Sequence, residues 1–361
     1  MVQRVQDLYR KHERWVPIAF FILGFLFDTI MLQRIDELST IIQQALYLVI
    51  AGGLISIELI ETTREINPPK LLNKIWRYRE ALLHFLLGTL LNSYAIFYFK
   101  SASSLTSFVF IALLVILLIL NEFKRFGKSQ IKVHMAFLSL CLISYFVSLM
   151  PILLGYIGTL PFLGSILASA LASYGFYRLQ KYLLGSESNL LRTHFLIPFP
   201  VTQLTFVILY FAHAIPPVPL SVSYMGIFHG VSKQEGNYQL SYTRSKWKFW
   251  QNGDQSFQAR PGDSIFCFVR VFSPARFNDM LQVRWLYWDQ SKGWLPSDAI
   301  PMPVLGGREE GYRGVTKKNN YQAGEWRVQI ETMENREIGR INFTVENDQS
   351  TEEREVKMII H

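Results

Sequence analysis

Cysteine is nearly absent: Cys141 and Cys267 are the only two in 361 residues. One lies in a long apolar run and the other in the polar C-terminal part, so no disulfide framework is expected. Residues 221–361 are numerous enough to fold on a hydrophobic core without one. Charge is scarce as well, at 18% of residues against 50% hydrophobic. With a mean hydropathy of +0.17, the chain is too apolar for a soluble protein and too polar for a pure membrane bundle. Splitting the chain resolves this. Residues 1–220 contain 18 Lys/Arg and 11 Asp/Glu, whereas residues 221–361 contain 18 and 17. The basic excess therefore belongs to the apolar part, where it reads as membrane topology. No basic, aromatic-interleaved cluster is read as a nucleic-acid site, and no nucleic-acid partner is expected.

Catalytic signatures are also missing. The C-terminal part has only His229 and His361 as histidines and Cys267 as its thiol, placed in an apolar stretch. It contains no Ser-His-Asp arrangement, HExxH, CxxC or phosphate loop. Three ligands at chelating spacing are absent, so neither a metal nor a cofactor is expected, and catalysis is not indicated.

What is present begins with seven segments long enough to cross a bilayer, at roughly 15–32, 40–60, 81–99, 102–122, 134–156, 158–177 and 199–219. The basic residues fall on alternate connections. The N-terminal tail and the second, fourth and sixth loops hold sixteen, while Arg34 and Lys100 are the two on the other side. The positive-inside rule then puts the N-terminus in the cytoplasm. An odd number of spans puts the C-terminal domain outside, in the periplasm or extracellular space, with the chain multi-pass in the cell's inner membrane. The first segment lacks a small-residue cleavage site and keeps Asp28, so it is expected to remain as an anchor.

Within the lipid, Gly164, Ala168 and Ala172 recur at four-residue spacing, as do Ser165, Ser169 and Ser173. That ridge of small side chains marks the sixth segment as central. The fourth, 108–120, is large and aliphatic and is expected to face lipid. Asp28, Gln43, Gln44 and His213 lie towards the outer ends of their segments. They are candidates for an outward-facing polar cluster, or for simple pairing of Asp28 with Gln43 or Gln44. Glu58 and Glu61 are expected to pair with Arg64. Residues 67–79 suit an amphipathic helix on the inner headgroup layer.

After residue 220 the period becomes two. In 326–331 and 341–345 apolar and polar residues alternate, with 333–336 as a hairpin turn; 265–269 is apolar on both faces; 283–288 reads as a further strand. The tail from Asp348 is expected to fray. The fold class is thus a membrane all-α bundle over 1–220 followed by an all-β, immunoglobulin-like antiparallel sandwich over 221–361.

Four runs carry a resemblance: Arg284-Trp285-Leu286-Tyr287-Trp288, Gly306-Gly307-Arg308-Glu309-Glu310-Gly311-Tyr312-Arg313, Gly324-Glu325-Trp326-Arg327-Val328 and Ile338-Gly339-Arg340-Ile341-Asn342-Phe343. Together they resemble Domain of Unknown Function 2914, a bacterial C-terminal family that often follows hydrophobic segments. The resemblance implies the architecture and no activity.

The candidate ligand or partner surface is the loop 306–318, where Arg308, Arg313, Lys317 and Lys318 bring four cations together and Tyr312 adds a stacking face. Glu309, Glu310 or Glu325 would pair with these arginines if the loop were only structural. Trp285, Tyr287, Trp288, Trp294, Tyr312, Tyr321 and Trp326 include residues able to stack on sugars, with at least half required by the core. The expected function is an envelope membrane protein that displays its sandwich to a protein or glycan partner. The alternative is a transporter or lipid-handling enzyme regulated by the outer domain. The lipid bilayer is the one partner common to both, and oligomeric state is left open.

Overall fold

A run of apolar residues becomes a helix where its backbone donors can be satisfied internally, and prolines set its ends. The computed structural model describes residues 35–62, 79–122, 130–185, 191, 194–306 and 311–361. Among these residues six helices occur: α1 (Leu38–Glu61), α2 (Arg79–Ser101), α3 (Leu105–Glu122), α4 (Gln130–Leu154), α5 (Thr159–Leu184) and α6 (Pro198–Phe211). Four stretches are long and apolar enough to cross a membrane: Leu38–Glu61, Leu82–Ser101, Ile131–Leu154 and Thr159–Leu184. The expectation of seven is corrected accordingly. The segment 15–32, with Asp28, lies outside the described residues, as does most of 67–79. The stretches within α3 and α6 are shorter apolar helices. For α6 the reason is plain. It has 14 residues, about 21 Å at 1.5 Å per residue against the ~30 Å of a hydrocarbon core. His213 takes a left-handed φ of 54° just beyond it, and Pro216, Pro217 and Pro219 prevent continuation.

The chain divides into two compact units. The helical unit takes Met1–Phe99, Thr106–Met150 and Pro161–Ile215; the β unit takes Pro216–His361 together with the connections Lys100–Leu105 and Pro151–Leu160.

In the helical unit the packed row of α5 is the serine row. Ser165, Ser169 and Ser173 are buried, whereas Gly164, Ala168 and Ala172 are half-buried. α5 is also less buried than α2 or α4, so it is not the central helix. Its serines act as polar clasps. The Ser165 hydroxyl donates to the Phe146 carbonyl at 2.9 Å, the Gln203 amide donates to Ser169 Oγ at 2.6 Å, and the Gln180 amide donates to Ser56 Oγ. Where water is absent such bonds fix which helix faces meet. α3 is two-sided, with Phe110, Ile111 and Leu114 buried and Phe108, Val109 and Leu113 exposed. Ser169→Leu is expected to overpack a closed site and strand the Gln203 amide, by about 1–3 kcal/mol. Leu167→Ala trims an exposed side chain and should leave the melting temperature in detergent almost unchanged. Equal losses would show that the serine row does not face inward.

The β unit has eleven strands: β1 (Ser221–Phe228), β2 (Gly230–Gln234), β3 (Asn237–Tyr242), β4 (Ser256–Ala259), β5 (Ile265–Phe272), β6 (Asn278–Asp289), β7 (Gly293–Leu305), β8 (Tyr312–Lys318), β9 (Gly324–Thr332), β10 (Glu337–Asn347) and β11 (Lys357–Ile360). They form sheets ordered β4-β10-β9-β6-β7, β1-β5-β8 and β11-β3-β2. All pairs are antiparallel apart from β4 with β10. The first two sheets enclose the main core around Trp285, Phe257, Phe343 and Trp326. The third covers the opposite face of β5 through Phe228, Leu240 and Phe268. β5 is therefore a middle-layer strand, which accounts for its apolar character on both sides. The expected hairpin is present, with Trp326 opposite Phe343 and Asn335 in the left-handed region at φ 59°. The tail does not fray: β11 pairs with β3, Lys357 opposite Tyr242. The outer strand β7 carries Pro296, Pro301 and Pro303.

The connection 151–160 is built into the β unit. Asn278 N–H donates to the Gly155 carbonyl at 2.8 Å, Ile157 N–H to Asp279 Oδ2 at 3.1 Å and Thr159 N–H to Glu334 Oε1 at 2.8 Å. Ile157 packs against the main core.

Candidate functional site

Along a strand, consecutive residues point to opposite faces, and this separates the cations expected to act together. Residues 312–318 form β8 rather than a loop, in register with β5 from Tyr312 opposite Val271 to Lys318 opposite Ile265. Lys318 turns inward. Its side chain is 1% exposed, and its ammonium pairs with Asp298, bonds Ser297 Oγ at 2.9 Å and lies 5.1 Å over the Trp326 ring. Lys317 faces out above the Phe266 ring. The Arg313 guanidinium donates to the His361 carbonyl at 3.0 Å, and Tyr312 packs on the main core. Arg308 lies outside the described residues. Of the described members of this set, Lys317 lines a groove beside β4 and β10.

That groove has a volume of about 950 Å³ and is open to solvent. Three segments distant in sequence build it: the turn from β4 to β5, the connection after β8, and the chain leaving β10. The turn is closed by Arg260 N–H donating to Asp263 Oδ2 at 2.8 Å and Asp263 N–H donating to the Arg260 carbonyl at 3.0 Å. The segment after β10 is held by Asp348 N–H donating to the Ala259 carbonyl at 2.8 Å. The charges at the wall are mutually paired, Arg260 with Asp348 at 2.6 Å and Arg354 with Asp263 at 2.7 Å. Hydrogen bonds from Ser350 and Arg260 hold the Asp348 carboxyl well below the usual carboxylate range. Burial pushes the Tyr321 hydroxyl up, and that hydroxyl donates to the Asp263 carbonyl at 2.9 Å. What the groove offers a ligand is therefore mainly uncharged: Asn319, Asn347, Gln349, Thr351 and the Tyr321 ring, with Lys317 as a cation. Below it, the His229 ring packs tilted against Phe257, centroids 4.0 Å apart, and Phe257 meets Tyr321 edge-on at 6.4 Å.

The other expected aromatics divide by face. Trp285 and Trp326 are buried. Tyr287 turns towards Trp326 after a register shift at Trp285/Leu286. Trp288 and Trp294 pair outside the core at 5.2 Å. Cys267 is buried, and desolvation pushes its thiol up.

In the helical unit, Gln43 donates to Tyr47 Oη at 2.9 Å, Gln44 is buried, and the His213 carbonyl accepts from Thr106 Oγ1 at 3.3 Å. A different ionisable group forms at the C-terminal end of α1 and the N-terminal ends of α2 and α4. His134 Nδ1 lies 2.8 Å from Glu58 Oε2, Arg79 pairs with Glu61 at 2.7 Å, and the His84 ring meets His134 edge-on at 5.1 Å. Arg64, the expected partner, lies outside the described residues; the partners of Glu58 and Glu61 are thus His134 and Arg79. They border a cavity of about 210 Å³. Sequence reasoning passed over His84 and His134 because a lone histidine in an apolar run does not reveal which helix it faces. Among the described residues no group of three His, Cys, Asp or Glu is arranged to hold a metal ion.

Helices of membrane-crossing length and composition, followed by a layered β-sandwich, define the class of protein. Within that sandwich, residues 278–345, from the start of β6 to near the end of β10, match the family described as Protein of unknown function (DUF2914). No curated protein matches the chain. An immunoglobulin-like protein from Pseudomonas aeruginosa is 14% identical, with a TM-score of 0.21, the match covering 36% of this chain and 98% of that one. A β-glucosidase involved in saponin metabolism from intestinal bacteria is 12% identical, TM-score 0.21, over 35% of this chain and 16% of that one. A β-glucosidase from Listeria innocua is 10% identical, TM-score 0.19, over 32% and 17%. The chain thus matches about a sixth of the glucosidases' length.

Proposed function

We propose that this is a multi-pass envelope protein whose helical unit sits in the cytoplasmic membrane and whose immunoglobulin-like sandwich, outside the cytoplasm, holds a glycan in the groove between Arg260 and Thr351. The observation that carries the ligand class is the composition of the groove. Apart from Lys317, the charges at its wall are paired with one another, while amides, hydroxyls and one tyrosine ring line the opening, which is the chemistry a polyhydroxylated ligand needs. The location is supported by loop charge. The connections that count with the β unit, Lys100–Leu105 and Pro151–Leu160, contain one basic residue, Lys100; the basic connections around 64–79 and 124–132 count with the helical unit. The positive-inside rule assigns such sets to opposite sides.

Two measurements test this. Reporter fusions at Lys128 and Asn347 should report opposite compartments, and two cytosolic readings would refute the location. A photo-crosslinking side chain at Asn319, on the groove lip, should capture wall glycan in cells, and one at exposed Lys292 should not. Capture of protein alone at Asn319 would replace the glycan by a protein partner. Equal yields at both sites would remove the groove as a site.

A further inference from the structure

Between β3 and β4 the chain displays what a soluble surface normally hides. Trp247, Phe249 and Trp250 are 64%, 81% and 59% exposed and pack chiefly on one another, Trp247 against Trp250 at 5.4 Å and Phe249 against Trp250 at 5.3 Å. The same segment holds Arg244, Lys246 and Lys248, with no acid before Asp254. Asp254 is buried and turned into the loop's own base, where it accepts Thr243 N–H at 2.9 Å and Arg244 N–H at 2.7 Å. That base is tightly built. Gly253 has φ +70°, and a Cβ there would sit 2.0 Å from the Ile227 carbonyl oxygen, so only glycine closes it. Inside the loop Lys248 N–H donates to the Ser245 carbonyl and Gln251 N–H to the Lys248 carbonyl, each at 3.1 Å, while the Arg244 guanidinium braces the Lys248 carbonyl.

A rigid tip of three bare rings flanked by lysines matches one surface on both counts. Tryptophan and phenylalanine favour the boundary between headgroups and acyl chains, and lysine is drawn to the phosphates of an anionic leaflet. We propose that residues 244–250 are an interfacial anchor by which the β unit binds anionic phospholipid, its rings seated among the headgroups with Lys246 and Lys248 on the phosphates. Because the loop is already ordered, little conformational entropy is lost on seating it. The proposal does not depend on the groove.

The full chain in lipid nanodiscs supplies the test. Cys141 and Cys267 are buried, so a spin label attaches selectively at Phe249→Cys or, as a control, at exposed Lys292→Cys. In discs containing phosphatidylglycerol, the label at 249 should collide several-fold more with oxygen, relative to a water-soluble nickel chelate, than the label at 292. Lys246→Glu with Lys248→Glu, or discs of phosphatidylcholine alone, should reduce that ratio several-fold. Equal ratios at 249 and 292 in anionic discs would overturn the proposal. So would a label at 249 shielded from both reagents, which indicates a protein surface, or broadened by a second label, which indicates pairing of two copies.

Discussion

Trp285→Ala is expected to lower the unfolding free energy of the β unit by about 3–5 kcal/mol, the usual cost of emptying a fully enclosed aromatic site. Trp285 is 0% exposed and meets Phe343, on β10 of the same sheet, edge-on at 6.1 Å within the main core. Its indole N–H has no acceptor among the described residues, which places the whole contribution in packing. Trp285→Phe should therefore recover much of the loss. Trp288, three residues along the same strand and 38% exposed, provides the contrast, and Trp288→Ala should cost less than about 1 kcal/mol. Urea unfolding of the full chain in micelles, followed by circular dichroism at the β transition, compares the three. Similar losses at 285 and 288 would mean that the inward face of β6 has been misassigned.

The second large effect is on acid stability and comes from His229. Burial pushes its imidazole down to about 4; Arg354 and Arg260 push the same way, and Asp263 and Asp348 oppose them. Asp254 also lies near, with Oδ2 3.6 Å from Nε2, and its own carboxyl is raised by burial. In the unfolded chain the imidazole titrates near 6.5. Between about 6.5 and 4 the unfolded state binds the extra proton and the folded state does not, so stability falls as the pH is lowered through that window. The loss has an upper bound of about 3.5 kcal/mol, at roughly 1.4 kcal/mol per unit over about 2.5 units, before screening by solvent reduces it. Asp348, whose carboxyl is depressed, adds a loss only below about pH 4. His229→Phe keeps a ring against Phe257 and cannot titrate, so the fall in stability on acidification should be lost, leaving only the small opposite contribution of the raised Asp254 carboxyl. A wild-type profile already flat from pH 6.5 to 4.5 would contradict the assignment.

Local pattern made part of this architecture legible. The β9–β10 hairpin could be read because its pairing is between neighbours in sequence and its alternation is clean from Trp326 to Glu331. The third sheet could not, because β11 returns to β3 across more than a hundred residues, and a four-residue strand carries no signal of so distant a partner. α6 was overread although Pro216, Pro217 and Pro219 stood in the run. The candidate site failed differently. Lys317 and Lys318 were grouped as neighbours in sequence, whereas in a strand neighbours are on opposite faces, one at the groove and the other sealed against Asp298. The groove itself joins turns separated by tens of residues, so no contiguous motif marks it. Residues 244–250 were legible, with aromatic and basic residues interleaved, and were missed.

The prolines of β7 bear on how this domain meets other chains. Pro301 and Pro303 lie opposite Gln282 and Met280, two residues apart, so their nitrogens point the same way. A proline paired along its length with β6 fits only where that nitrogen faces outward. The free border of the five-stranded sheet thus lacks donors at two successive positions where an added strand would need them. Templated growth of the sheet is hindered at Pro301 and Pro303, so edge-to-edge aggregation and docking by strand addition are disfavoured along that part of the border.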